Sequence, residues 1–169
     1  MVAIGTHIKY YPIALDIDGK TALIAGGGKV AQRKIMGLLK AGARVTVISP
    51  KVTIALGRLA KRNKLVWVKR NVKKNDIAKA DIVIAATNDV VTNKNISFWS
   101  KKQKTLVNIV DNPVLSSFIS PAVFKNSKAI IAVNSHGRDP EFSRDLKNFL
   151  KEQWNEFLSY RRRLQKRAS

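Results

Sequence analysis

Gly26, Gly27 and Gly28 stand between a short apolar run and the start of a helical pattern. The run is Thr21-Ala22-Leu23-Ile24-Ala25, and the continuation is Lys29-Val30-Ala31. The spacing is G-x-G-x-x-A, and the chemistry it serves is the holding of a pyrophosphate. Gly26 permits the tight turn. Gly28 removes a Cβ where an anion must approach the backbone. Ala31 keeps helix and strand close. The free N–H groups and the dipole of the helix N-terminus supply the attraction. A glycine-rich turn can also join a strand to a helix and hold nothing. The flanking strand and helix give the dinucleotide reading its weight.

The ionisable candidates are few. Asp111 directly follows the apolar run Leu106-Val107-Asn108-Ile109-Val110. A carboxylate at the ligand end of a sheet can act as a general base, and it can equally cap a helix or a turn. His136 lies in Asn134-Ser135-His136-Gly137-Arg138-Asp139-Pro140, a polar turn where it could share proton transfer or do nothing chemical. Asp139 before Pro140 fits a helix N-cap. Thr87, Asn88 and Asp89 form either a second wall of a cofactor site or a polar connection with a capping role. After the second strand, where an NAD fingerprint places an acid, the chain has Ser49-Pro50-Lys51. The Ser49 hydroxyl could hydrogen-bond a ribose, and Arg44 or Lys51 could receive a 2′-phosphate, so NAD and NADP both stay open. No metal-ligating motif, Ser-His-Asp order or Walker loop occurs.

The elements that position these residues alternate. Strands are expected at 21–25, 44–49, 65–69, 82–86 and 106–110, after a short strand at 10–15. Helices are expected at 29–41, 52–61 and 92–101, with a helical turn at 77–80. Val30, Ile35, Leu38 and Leu39 mark the buried side of the first helix; the third carries Ile96 and Phe98. This βα rhythm predicts an α/β fold with a Rossmann-like parallel sheet over residues 1–112. Ligands in such a sheet bind outside the carboxyl ends of the strands, which should bring the loops at 26–28, 49–51, 87–89 and 111–112 together. After Asp111 the rhythm changes. Strands at 118–124 and 129–134 precede one long helix starting at Pro140, with Phe142, Leu146, Phe149, Leu150, Trp154, Phe157 and Leu158 as its apolar positions. Residues 113–169 therefore read as a small α+β module with a C-terminal helix. It is too small to hold a core alone and should pack on the first domain or on a second subunit.

Charge adds a constraint. The 169 residues carry 32 Lys and Arg against 11 Asp and Glu, a net +21. No acid occurs between Asp18 and Asp76. Such a field concentrates polyanions. Nucleic acid, a membrane surface, an anionic cofactor and a multiply carboxylated substrate all qualify. A basic nucleotide-sensing or nucleic-acid-binding module, drawing on the tail Arg161-Arg162-Arg163, is the alternative to an enzyme. The absence of cysteine excludes disulfides and thiolate metal sites. No segment approaches the roughly 20 apolar residues of a membrane span, so a cytoplasmic protein is expected.

Taken in order, the motifs resemble the precorrin-2 dehydrogenase/sirohydrochlorin ferrochelatase family, the N-terminal part of sirohaem synthases. They are Tyr11-Pro12-Ile13 with Gly19-Lys20, GGGKVAQR from Gly26, VTVISP from Val45, IAATND from Ile84, and NIVD from Asn108 with Pro113 and FISPA from Phe118. The resemblance implies NAD-dependent oxidation of precorrin-2 to sirohydrochlorin, with Asp111 as the catalytic acid/base. It places the cofactor on Gly26, Gly27, Gly28, Val30, Ala31, Ser49, Pro50, Thr87 and Asn88. It implies a homodimer, with the segment from Pro113 onward as the dimerisation module, and a polycarboxylate tetrapyrrole as substrate. Some members also insert ferrous iron, a step in which Asp111 or His136 could take pyrrole protons. Ser135 keeps the family's serine in a loop expected near the tetrapyrrole. His136 replaces a glycine there, Asp139 replaces a serine, and Ser116 stands where many members have cysteine.

Overall fold

Five short apolar runs pair into one parallel sheet because each can bury both of its faces. The structure, a computed structural model, describes residues 10–110 and 112–168. Its strands are β1 (Thr21–Ala25), β2 (Arg44–Ile48), β3 (Val66–Val68), β4 (Ile82–Ala85) and β5 (Leu106–Ile109), in the order β3-β2-β1-β4-β5. The helices between them are α1 (Lys29–Lys40), α2 (Ile54–Lys61), α3 (Lys74–Ile77) and α4 (Val90–Lys102). The strand order reverses at β1, which opens a crevice at the carboxyl ends of β1 and β4. The α/β, Rossmann-like reading is thus met.

Alternation within the strands feeds two cores. Ala22 and Ile24 of β1 join Ile35 of α1 and Leu56 of α2 on one face. Leu23 and Ala25 join Ile77 of α3 and Ile96 of α4 on the other. The buried positions of α1 are Ala31, Ile35 and Leu38, the i, i+4, i+7 stripe of a helix lying on a sheet. Val30, expected among them, lies at the margin of that stripe and is 38% exposed. Phe98 is likewise outward, because α4 buries Ile96, Ser97 and Ser100 instead. Residues 10–15 form no strand; Tyr11 and Ile13 are exposed and pair with nothing in the sheet.

The chain divides into two compact units, residues 11–119 and a second containing 120–168. Pro113–Leu115 is a 3-10 turn, and the residues after it lie along the open edge of β5. Ser117 Oγ accepts from the Val107 N–H and Ser116 Oγ from the Ile109 N–H, each at 2.8 Å. Two hydroxyls thereby satisfy edge donors that a further strand would otherwise take.

In the second unit β6 (Ala122–Lys125) and β7 (Ile130–Val133) form an antiparallel hairpin. The expected strand at 118–124 therefore begins only at Ala122. Its turn is closed by Asn126 Oδ1, which accepts from the N–H groups of Lys128 and Ala129. The single helix expected from Pro140 is two, α5 (Pro140–Glu152) and α6 (Trp154–Ala168), parted at Gln153. The Trp154 ring meets Phe124 edge-on at 5.7 Å and Phe157 at 5.5 Å.

Candidate functional site

The carboxyl ends of β1, β2 and β4 open on a cleft of about 610 Å³. Gly26, Gly27, Gly28, Ser49, Pro50, Lys51, Thr87 and Asn88 line it. Three of the four loops expected to converge therefore do so. At the fourth, the Val110 N–H donates to the Ala85 carbonyl at 2.9 Å, which puts the end of β5 beside the end of β4. Asp111 lies outside the described residues.

The three glycines do different work. Gly26 has φ +111°, and a Cβ there would lie 2.3 Å from the Ala86 carbonyl oxygen. A Cβ on Gly27 would lie 2.2 Å from the Lys51 carbonyl oxygen. Both are required by the protein's own packing. A Cβ on Gly28 would meet nothing within 4 Å. Packing does not require glycine there, whereas a ligand that must touch the backbone would.

The helix ends make the same distinction. Gly28 is the N-cap of α1, with no side-chain cap and no acid in the first turn. Its N–H groups are open to an anion, as a pyrophosphate requires. The N-terminus of α4 is already filled. Asp89 accepts from the Thr92 hydroxyl and from the N–H groups of Val91 and Thr92. These bonds, the Thr92 hydroxyl first, hold its carboxyl below the usual range. Asp89 is a cap. Thr87 braces the same turn: its hydroxyl donates to Asn93 Oδ1 at 2.7 Å, and Asn93 Nδ2 returns to the Thr87 carbonyl. Asn88 is exposed, and no hydrogen bond of its side chain occurs among the described residues.

Ser49 is buried at the end of β2, and its hydroxyl donates to the Lys51 carbonyl at 2.7 Å. Its remaining capacity is as an acceptor, which suits a ribose hydroxyl. Trp67 Nε1 donates to the Ser49 carbonyl at 2.9 Å and fixes the loop from below. Ala31 is wholly buried and acts through packing. Val30 does not line the cleft.

Some residues of the cleft were missed by the sequence reading. Thr53 caps α2 and donates its hydroxyl to Gln32 of α1 at 2.7 Å. A threonine just before a helical apolar pattern was signal enough for that cap. Asn71 and Val72, beyond β3, also line the cleft, and nothing in their local sequence marks them.

Ser135 and His136 belong to the second unit. Ser135 Oγ accepts from the Asp139 N–H at 2.9 Å and from Ser143 Oγ at 3.0 Å, so it closes the turn that starts α5. Asp139 caps α5 by accepting from the Phe142 N–H, the role expected of it. His136 has φ +57° and Gly137 φ +73°. The position is one where glycine is at ease and histidine tolerated. Among the described residues no group of three metal-ligating side chains gathers, and no helix is long and apolar enough to cross a membrane.

Residues 13–122 match the family model described as "Putative NAD(P)-binding". The siroheme synthase of Nitrosospira multiformis is 38% identical over 144 residues, 83% of this chain and 30% of the relative. That of Nitrosococcus oceani is 37% identical over 140 residues, with the same two coverages. The chain spans about 30% of the length of the curated relatives it matches. Among solved structures, "SirC, precorrin-2 dehydrogenase" superposes with a TM-score of 0.76 at 28% identity, covering 89% of this chain and 78% of that one.

Proposed function

Since this chain belongs to the NAD(P)-binding family matched over residues 13–122, we propose that it oxidises precorrin-2 to sirohydrochlorin with NAD⁺, a step of sirohaem biosynthesis. The observation that carries the reading is the pairing of an α1 N-terminus without a side-chain cap with a Gly28 that packing does not require. The likeness to the precorrin-2 dehydrogenase adds the substrate.

Bound NAD⁺ supplies the hydride acceptor. The α1 N–H groups hold the pyrophosphate, and Gly28 lets it reach the backbone. Ser49 accepts from a ribose hydroxyl. Thr87 shapes the opposite wall and Asn88 offers its amide. The oxidation removes a hydride and a proton, and Asp111 takes the proton. His136, whose ring makes no hydrogen bond among the described residues, is open to the substrate. Ser135 supports it by holding the turn. A substrate rich in carboxylates gives the net charge of +21 a direct use.

The second unit is the dimerisation module. Phe142, Phe149, Phe157 and Tyr160 are all about half exposed, and Phe149, Phe157 and Tyr160 line a groove of about 430 Å³. An exposed apolar face of this kind suits a homodimer. A cytoplasmic location accords with a nicotinamide cofactor and a chain without cysteine.

The test is anaerobic incubation of the protein with precorrin-2 and NAD⁺. Stoichiometric NADH and sirohydrochlorin are expected. No turnover despite NAD⁺ binding would overturn the assignment of substrate.

A further inference from the structure

We infer that the cleft admits NADP⁺ as well as NAD⁺, and that Lys51 is the residue that sets this breadth. The inference rests on the reading of the cleft as a dinucleotide site. In a doubly wound sheet the adenosine ribose lies at the carboxyl end of the second strand, where an acid selects NAD and a cation accommodates a 2′-phosphate. Here that position is Ser49-Pro50-Lys51, and no carboxylate stands there.

Among the described residues, the one acid lining the cleft, Asp89, follows β4, on the other side of β1 from β2. Its charge is already spent on the N-terminus of α4. Among the described residues, no acid lies at the carboxyl end of β2 to repel a phosphate at the ribose. Lys51 is exposed, lines the cleft, and has no ion pair among the described residues. Its backbone is fixed twice over: its carbonyl accepts from Ser49 Oγ and lies against Gly27. The stem of the lysine thus springs from a rigid point at the ribose end. The nearby Arg70 cannot substitute, because both of its terminal nitrogens bond Asp76 at 2.7 Å.

Isothermal titration of the full chain with NAD⁺, NADP⁺ and 2′,5′-ADP tests the inference by binding alone. NADP⁺ is expected to bind within about tenfold of NAD⁺. Lys51→Ala should raise the ratio of the NADP⁺ to the NAD⁺ dissociation constant by about tenfold, the order of one charge-assisted hydrogen bond, and weaken 2′,5′-ADP to the same degree. Lys51→Glu should widen the gap further. Lys40→Ala, at the far end of α1, is the control for the overall basic field. Circular dichroism of each variant confirms folding. The inference fails if NAD⁺ binds and NADP⁺ is more than a hundredfold weaker, or if Lys40→Ala costs NADP⁺ as much as Lys51→Ala. Absence of binding by either dinucleotide would overturn the cofactor reading itself.

Discussion

The Thr53 N–H donates to the Gly27 carbonyl at 2.9 Å. This bond ties the loop leading into α2 to the glycine turn. The Lys51 carbonyl lies so near Gly27 that no Cβ fits between them. The turn that would hold a pyrophosphate is thus clamped from the β2 side, and its shape does not depend on the ligand.

That relationship separates two neighbouring glycines. Gly27→Ala forces a collision with backbone and is expected to destabilise the fold by about 1–3 kcal/mol, the cost of overpacking. Gly28→Ala meets open space at φ −80°, an angle any residue adopts. It should cost less stability than Gly27→Ala, about 0.5–1 kcal/mol for the poorer N-cap, and weaken NAD⁺ at least tenfold. Thermal melts and calorimetric titration of the two variants check this. Equal loss of stability in both would show that Gly28 is structural.

Asp111→Ala is expected to reduce turnover of precorrin-2 by about 10²–10⁴-fold, the range of a lost general base. Its Kd for NAD⁺ should stay within about twofold, since the contacts proposed for the pyrophosphate and ribose come from other residues. Steady-state rates beside a binding isotherm measure both. Near-normal turnover would remove Asp111 from the reaction.

Much of this architecture can be read from the chain, and the exceptions have physical causes. The five strands and the glycine turn are local: each is a short apolar run stopped by glycine, proline or a polar cluster. Asp139 and Asp89 as caps are local too. Residues 10–15 failed because apolar alternation marks a strand only if an edge is available to pair with it. Edge donors of β5 are instead taken by Ser116 and Ser117, a long-range arrangement that two serines in sequence do not announce. The break at Gln153 is similar. The helical period continues through it, and the contact of Trp154 with Phe124 is invisible in one dimension. At the cleft, Asn71 joins the lining only because β3 neighbours β2.

The serine pair makes a prediction of its own. Ser117→Ala leaves the Val107 N–H at the β5 edge without its hydroxyl partner. A loss of about 1–2 kcal/mol is expected, the cost of an orphaned donor in a partly buried site. Urea unfolding would show it as a lower midpoint at unchanged slope. Ser117→Thr keeps the hydroxyl and should restore most of the loss. A Thr variant no better than Ala would mean that packing, not the hydrogen bond, matters there.

Asp76 links stability to pH. Its carboxylate takes two bonds of 2.7 Å from Arg70 and one of 2.7 Å from the Lys73 N–H, and so closes the start of α3. The Arg70 hydrogen bonds are the main reason its carboxyl titrates below the ordinary range; the Lys73 N–H adds to them, and partial burial opposes both. The folded pKa is lower than the unfolded one. The contribution is therefore complete above the unfolded value, near 4. It fades as pH falls through the depressed folded value, since the unfolded chain binds the proton more readily. Asp76→Asn removes the charge at every pH. At pH 7 it should cost about 1 kcal/mol once solvent screening of the pair is allowed for. As pH falls below the unfolded value, the gap between the variant and the parent should narrow. Melting curves of both proteins between pH 2.5 and 7 decide the matter. A gap in Tm that does not narrow on acidification would mean that Asp76 acts through its shape and hydrogen-bond geometry, with no part for its charge.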